Sequence, residues 1–424
     1  MTGESKFHLV YFKFKTDCVN IMKKSAFKNN VYFRLINPVA PIRMIYLDNH
    51  ATTVCDPLVL EAMIPYFTQN YGNAASNNFF GEVSANAVEQ AKRQVGDLLS
   101  CPPEELTFTS GATESINIVL LGLCNFAHTN GLHRRKILTI EIEHKAVLTP
   151  LNELKKSGWE VSFLPVDSKG MVIISEAKKL IDEDIFLISV QLANSEIGTI
   201  QPIAELAEMT RENGVFFHCD ASQGIGKVHA SVDDLGIDFL SMSAHKIYGP
   251  KGVGALWMRA GLKKILQPIM FGGNAINNVR PGTQPVPLIV GFGKACAILQ
   301  ENLDQENDRI QGLRDFFEQS ISEQIPEIVI NGAQTKRLVN NSSITFPDID
   351  AEMLLLNLQG IVASTGSACE SGSIEPSRVL LAIGISPDAA YQTIRFGFGR
   401  FNTLKEVESA AEQIVGEYRK LAFE

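Results

Sequence analysis

Short apolar runs alternate with stretches of helical periodicity along most of this chain. Leu106-Thr-Phe-Thr109 precedes a helical pattern over 113–123, and Lys136 to Ile142 precedes another from His144 to Lys156. Further runs of strand length lie at 160–166, 185–192, 215–219, 239–242 and 254–258, with helical stretches at 175–182 and 203–213 between some of them. Strands separated by helices predict a mostly parallel sheet flanked by helices on both faces, an α/β fold. Strand-like order begins at Ile45-Tyr46-Leu47. After about residue 300 the pattern changes to a long charged helix, Leu303 to Gln324, and then to strands and helices of a smaller α+β unit. The predicted organisation is an extension over 1–43 and an N-terminal arm over 44–57 that joins the small domain. A large domain over 58–300 and a small C-terminal domain over 301–424 follow.

Composition adds exclusions. The chain has 424 residues, 45% of them hydrophobic and 20% charged, as in ordinary globular proteins. A net charge of −9 argues against a nucleic-acid binder that works by neutralising phosphates. No apolar stretch approaches membrane-spanning length. The charge is unevenly spread: residues 1–43 carry eight basic and two acidic side chains. That segment has no apolar signal core and few serines, so the expectation is a poorly ordered extension or a start placed too early, with Met44 as the beginning. The seven cysteines are scattered, odd in number and free of any CxxC pair. A reducing compartment, the cytoplasm, is expected, with most cysteines acting as small buried hydrophobes and no metal site.

Four segments carry candidate chemistry. In Ser-Met-Ser-Ala-His-Lys-Ile-Tyr-Gly-Pro-Lys-Gly252, Lys246 follows a histidine at the end of an apolar strand, where a buried amine could form a Schiff base. Alone, it also reads as a solvated loop lysine. Asp220 ends the buried run Val215 to Cys219; a carboxylate there needs a cation, such as a pyridinium nitrogen, or else serves as a helix cap. Thr-Ser-Gly-Ala-Thr-Glu-Ser115 runs from a strand through a glycine turn into a helix, which offers backbone N–H groups to a phosphate or is simply a cap. His144 sits at a strand-to-helix junction, placed to lie over a ring or to move a proton.

Together these segments resemble the fold-type-I, pyridoxal-phosphate-dependent cysteine desulfurases of the class V aminotransferase group. The resemblance runs from Tyr46 to about Leu421. Tyr-Leu-Asp-Asn-His-Ala-Thr-Thr53, Gly-Ala-Thr-Glu114, Glu-His-Lys-Ala-Val-Leu148, Asn-Ser-Glu-Ile-Gly198, Asp-Ala-Ser-Gln223, Ser-Ala-His-Lys246 and Arg-Pro-Gly-Thr283 follow in the family's order. It implies that Lys246 holds pyridoxal 5'-phosphate, Asp220 faces the pyridine nitrogen, His144 stacks on the ring and Gln223 contacts the phenolic oxygen. Ala112, Thr113, Ser243 and His245 would form the phosphate cradle. Thr283 would reach the phosphate from a second subunit, which implies a homodimer. Where the family has a second asparagine this chain has Ser195, with a shorter reach towards the cofactor, and His50 is an unusual residue within the first signature.

One cysteine lies in a run of small residues, Val-Ala-Ser-Thr-Gly-Ser-Ala-Cys-Glu-Ser-Gly-Ser-Ile-Glu-Pro-Ser377. Small flanks leave Cys369 uncrowded, unlike a structural cysteine. The stretch looks like the catalytic loop of the long-loop desulfurases, whose cysteine receives sulfur as a persulfide. Arg395, in Thr-Ile-Arg-Phe-Gly-Phe-Gly-Arg400, matches the family's ligand for the substrate carboxylate, while Arg400 also reads as a surface ion pair. The implied reaction converts L-cysteine to L-alanine and hands sulfur to an acceptor protein, for iron–sulfur cluster assembly, tRNA thiolation or DNA phosphorothioation. Direct nucleic-acid or membrane binding is not expected. A selenocysteine lyase or an aminotransferase is the alternative within the fold. A catalytically weak docking scaffold is the alternative outside it.

Overall fold

The computed structural model describes residues 44–273, 279–366 and 375–423. The basic extension over 1–43 and the loop carrying Cys369 lie outside the described residues.

A short strand, β1 (Ile45–Tyr46), opens the described chain. The central sheet follows with β2 (Leu106–Thr109), β3 (Lys136–Ile140), β4 (Glu160–Leu164), β5 (Ile185–Gln191), β6 (Phe216–Asp220), β7 (Phe239–Ser243) and β8 (Gly254–Met258). Its strand order is β2-β8-β7-β6-β5-β3-β4. The β4-β3-β5-β6-β7 block is parallel, and β8 runs antiparallel to both β7 and β2. Strands β5, β7 and β8 are buried along their whole length, as expected of strands covered on both faces, and read as continuous apolar runs with few polar interruptions. The carboxyl ends of the parallel strands all open on one edge, which in open α/β sheets is where ligands bind.

The helices that matter for that edge are α1 (Pro57–Met63), α2 (Phe79–Leu99), α3 (Ala112–Thr129) and α4 (Lys145–Lys156). Asp56 caps α1 by accepting from the Leu58 amide, and Asn78 caps α2 from Gly81. Helix α5 (Val286–Ser322) is much longer than the sequence pattern suggested, which placed its start at Leu303. The expected boundary at residues 300/301 lies inside it. Its first half is apolar on most faces and reads as a core run, so the helical period is hidden. Ile289, Phe292, Cys296 and Leu299 belong to the core beside the central sheet, whereas Ile310, Leu313, Phe317 and Ile321 belong to a second core. The close approach to α2 requires glycine at Gly293, where a Cβ would lie 2.6 Å from the Ala91 Cα.

The second core is built on an antiparallel four-stranded sheet of order β12-β13-β10-β9, formed by β9 (Val329–Asn331), β10 (Asn341–Thr345), β12 (Ser364–Thr365) and β13 (Thr393–Gly397). Strand β1 pairs in parallel with β11 (Ile361–Val362) beside it. The N-terminal segment is thus tied to the C-terminal strands, with Asp48 bridging to Gly397. Among the described residues, no helix is long and apolar enough to cross a membrane.

Candidate active site

The cleft at the carboxyl edge encloses about 690 Å³, open solvent at its mouth included. It is lined by nine of the residues singled out in the sequence: Ala112, Thr113, His144, Ser195, Asp220, Gln223, Ser243, His245 and Lys246. Ala112 and Thr113 open α3 directly after β2, and the others lie at or just beyond the carboxyl ends of the parallel strands, which is why residues far apart in sequence meet here.

The anion-binding end is assembled by close backbone approach. A Cβ on Gly254 would lie 2.7 Å from the Gly111 Cα, so only glycine lets β8 run against the start of α3. The Ala112 amide then donates to Ser243 Oγ at 2.9 Å. The other first-turn amides of α3, those of Thr113 and Glu114, have no acceptor inside the helix and carry its positive dipole end. The Glu114 carboxylate turns back to the Ser110 amide and takes Arg280 Nε at 3.1 Å, which keeps its charge paired beside this end.

At the opposite side Asp220 accepts from the Ser222 amide at 3.0 Å and from Ser222 Oγ at 2.5 Å. Both bonds fall on Oδ1, leaving Oδ2 for a partner in the cleft. His144 is the N-cap of α4, its Nδ1 accepting from the Ala146 amide at 3.1 Å, so the neutral ring carries its proton on Nε2. Burial holds its pKa below the ordinary imidazole value, against the pull of the Asp220 charge. The adjacent Glu143 is wholly enclosed, and burial followed by the Asp220 charge pushes its carboxyl well above the usual range. It accepts from the Gln191 amide at 2.5 Å and the His144 amide at 3.2 Å.

Lys246 donates from Nζ to the carbonyls of His50 at 2.5 Å and Ala51 at 2.9 Å. His245 bonds Thr52 Oγ1 at 3.1 Å, and burial lowers its pKa to about 4. Arg395, 3% exposed in its side chain, is not a lining residue of the cleft. It reaches Asp48 Oδ1 and Ser364 Oγ, both at 2.7 Å, and the carbonyl of the lining residue Ser195 at 3.4 Å. Thr283 is exposed and also outside the cleft lining. Arg400 departs from the surface ion pair that its sequence context allowed. Its side chain, 12% exposed, is held between Asp56 and Glu306, with its guanidinium carbon 4.2 Å from the Tyr248 ring centroid. Sequence reasoning missed Asp48 and Glu143 and left His50 without a role. Their places within quoted motifs were the available signal.

The family model for class-V aminotransferases matches residues 45–409. The chain belongs to this family, and to its cysteine desulfurases. A mitosomal cysteine desulfurase of Encephalitozoon cuniculi is 42% identical over 89% of this chain and 88% of its own length. Among solved structures, a NifS-like protein superposes with a TM-score of 0.82 at 36% identity, covering 89% of this chain and all of its own. SspA in complex with cysteine superposes with a TM-score of 0.73 at 32% identity, over 85% of this chain and all of that one.

As a member of the cysteine desulfurases the protein is a fold-type-I enzyme that uses pyridoxal 5'-phosphate. The cleft fits that cofactor by its own chemistry. A helix start with a serine hydroxyl suits a phosphate dianion. A carboxylate with an uncommitted oxygen suits a protonated ring nitrogen, and the lysine amine in the same cleft suits an aldehyde.

Proposed function

We propose that the protein converts L-cysteine to L-alanine, with its sulfur passing to Cys369 as a persulfide and then to an acceptor protein. The observation that carries this reading is the convergence of Lys246, Asp220 and His144 on one cleft that also has an anion-binding end. When bound, pyridoxal 5'-phosphate supplies an electron sink for bond breaking at the substrate's Cα. Ala112, Thr113, Ser243 and His245 would hold its phosphate, Lys246 its aldehyde carbon, Asp220 its ring nitrogen and Gln223 its phenolic oxygen. Ser195 lines the same cleft.

Arg395 would grip the substrate carboxylate, since its fork matches two carboxylate oxygens where a lysine would offer a point charge. The amine of Lys246, once displaced by the substrate's amine, would take the Cα proton. His144, neutral and with Nδ1 committed to a backbone amide, would move a proton through Nε2. The thiolate of Cys369 would attack the substrate sulfur; the new S–S bond forms as the C–S bond breaks, and the Cβ receives the bonding electrons and a proton to become the methyl group of alanine.

We also propose that the working unit is a homodimer, to whose second cleft Thr283 would contribute. An exposed apolar face supports this: Leu58, Ile64, Phe67, Tyr71 and Phe79, running from α1 through the segment that leads to α2, are all more than half exposed. The occupant we infer is a second copy of this chain. The sulfur acceptor belongs to iron–sulfur assembly, tRNA thiolation or DNA phosphorothioation. The cytoplasm is the proposed compartment for this thiol chemistry.

The test is Cys369→Ala in the cofactor-loaded enzyme. Persulfide on the protein, read by mass spectrometry after L-cysteine is added, should vanish while the bound cofactor's absorption is retained. Persulfide that persists in the variant would overturn the role of Cys369.

A further inference from the structure

The imidazole of His50 is 1% exposed and makes a hydrogen bond at each nitrogen. Nδ1 lies 3.2 Å from Gln223 Oε1, and Nε2 lies 3.2 Å from Asn341 Nδ2. The His50 carbonyl, meanwhile, accepts from Gln223 Nε2 at 3.0 Å and from Lys246 Nζ at 2.5 Å.

These contacts fix the proton. A carbonyl can only accept, so the bond from Gln223 to the His50 carbonyl orients the Gln223 amide with its NH2 there and its oxygen towards Nδ1. Nδ1 must therefore be the donor. At the other end Asn341 Nδ2 also donates to the Glu196 carbonyl at 3.1 Å, which sets that amide independently and makes Nε2 an acceptor. Both ends demand the same state: a neutral ring with its proton on Nδ1. Burial, with the Arg395 charge second, holds the pKa of His50 well below the ordinary value. The ring packs closely against the Gly397 backbone, where a Cβ would sit 2.8 Å from its Cδ2.

We propose that His50 is a positioning residue for the cofactor site: its imidazole locks the Gln223 amide with the second N–H directed to the cleft, and its carbonyl seats Lys246. Gln223 then faces the cofactor's phenolic oxygen as a donor. With the amide reversed, two oxygens would oppose each other. This inference rests on the reading of Gln223 as the phenolic-oxygen contact.

The experiment uses the cofactor-loaded enzyme and two readouts. Nitrogen-15 NMR of histidine-labelled wild-type protein should give His50 the neutral Nδ1–H signature at pH 7; an Nε2–H or doubly protonated ring would overturn the proposal without any variant. The second readout is the pH midpoint of the bound cofactor's visible absorption. Gln223→Ala should move it by roughly 0.5–1 pH unit, the worth of one hydrogen bond. His50→Ala should move it in the same direction and add nothing in the Gln223→Ala background, while His50→Asn, which keeps an N–H donor, should restore most of the shift. A midpoint that moves with Gln223→Ala but not with His50→Ala overturns the inference and leaves the Gln223 reading standing. A midpoint that moves with neither overturns both.

Discussion

Two arginines near the end of β13 are each paired with an aspartate from the N-terminal segment, and the surroundings of the two pairs differ. Arg400 meets Asp56 at 2.7 Å and Glu306 at 2.6 Å, stacks on Tyr248, and donates its backbone amide to the Tyr248 hydroxyl at 2.7 Å. None of these partners lines the cleft. Arg395 meets Asp48 and the Ser364 hydroxyl, and it also reaches the carbonyl of Ser195, a residue that does line the cleft. Under the proposed function, the same guanidinium chemistry would serve as a rivet in one place and as the ligand of the substrate carboxylate in the other. What separates them is whether a partner faces the ligand's space. Burial and ion pairing alone would not distinguish the two.

The sharpest way to break this distinction is to remove each fork in turn. Arg395→Ala in the cofactor-loaded enzyme should lower kcat/KM for L-cysteine by roughly 10³-fold, about 4 kcal/mol, through the loss of a bidentate charged contact. The loss should appear chiefly in KM, with bound cofactor retained. Unchanged steady-state kinetics in this variant would remove Arg395 from substrate recognition.

Arg400→Met should act on stability instead. It leaves the buried Asp56 and the half-buried Glu306 without their cation, a change that costs about 3 kcal/mol when one partner of a largely buried pair is removed. Denaturant titration measures that loss. The KM for L-cysteine in the folded fraction should stay within about twofold of wild type, since recognition is assigned elsewhere. A variant of normal stability would show that Arg400 is no rivet.

How far the sequence reached explains why this contrast escaped it. Lys246, Asp220, His144 and the Gly111 turn were legible because each sits within a local motif whose strand-to-helix context can be read over about ten residues. The four quoted segments end on the same sheet edge for the reason any parallel sheet imposes, so their meeting in one cleft followed from the fold class. Asp48, His50 and Arg400 act through partners hundreds of positions away: Asp48 with Arg395, His50 with Asn341, Asp56 with Arg400. Such pairings are set by the docking of β1 beside β11, a two-residue contact with no periodicity to read. The start of α5 at Val286 was hidden differently. Its first half is buried between α2 and the central sheet, and a helix apolar on most faces loses the one-sided pattern that marks an amphipathic helix.

The smallest expected effect lies between the two arginine regions. Lys227 donates to the Lys246 carbonyl at 2.8 Å and senses the charges of both Glu306 and Arg400. Burial, followed by the Lys246 charge, lowers its pKa to about 7, whereas an unfolded lysine titrates near 10.5. Between those values the unfolded chain holds a proton that the folded chain has released, so the contribution of Lys227 to stability grows as pH rises from 7 to 10.5 and is lost as pH falls. Wild type should therefore gain on Lys227→Met between pH 7.5 and 9.5, by about 1 kcal/mol once the partial exposure of the side chain is allowed for. Paired urea titrations at the two pH values read that difference directly. A gain in the opposite direction would mean that Lys227 stays charged beside Lys246 and belongs with Glu306 to the Arg400 rivet. The predicted direction means that a neutral amine there spares Lys246 a second positive charge.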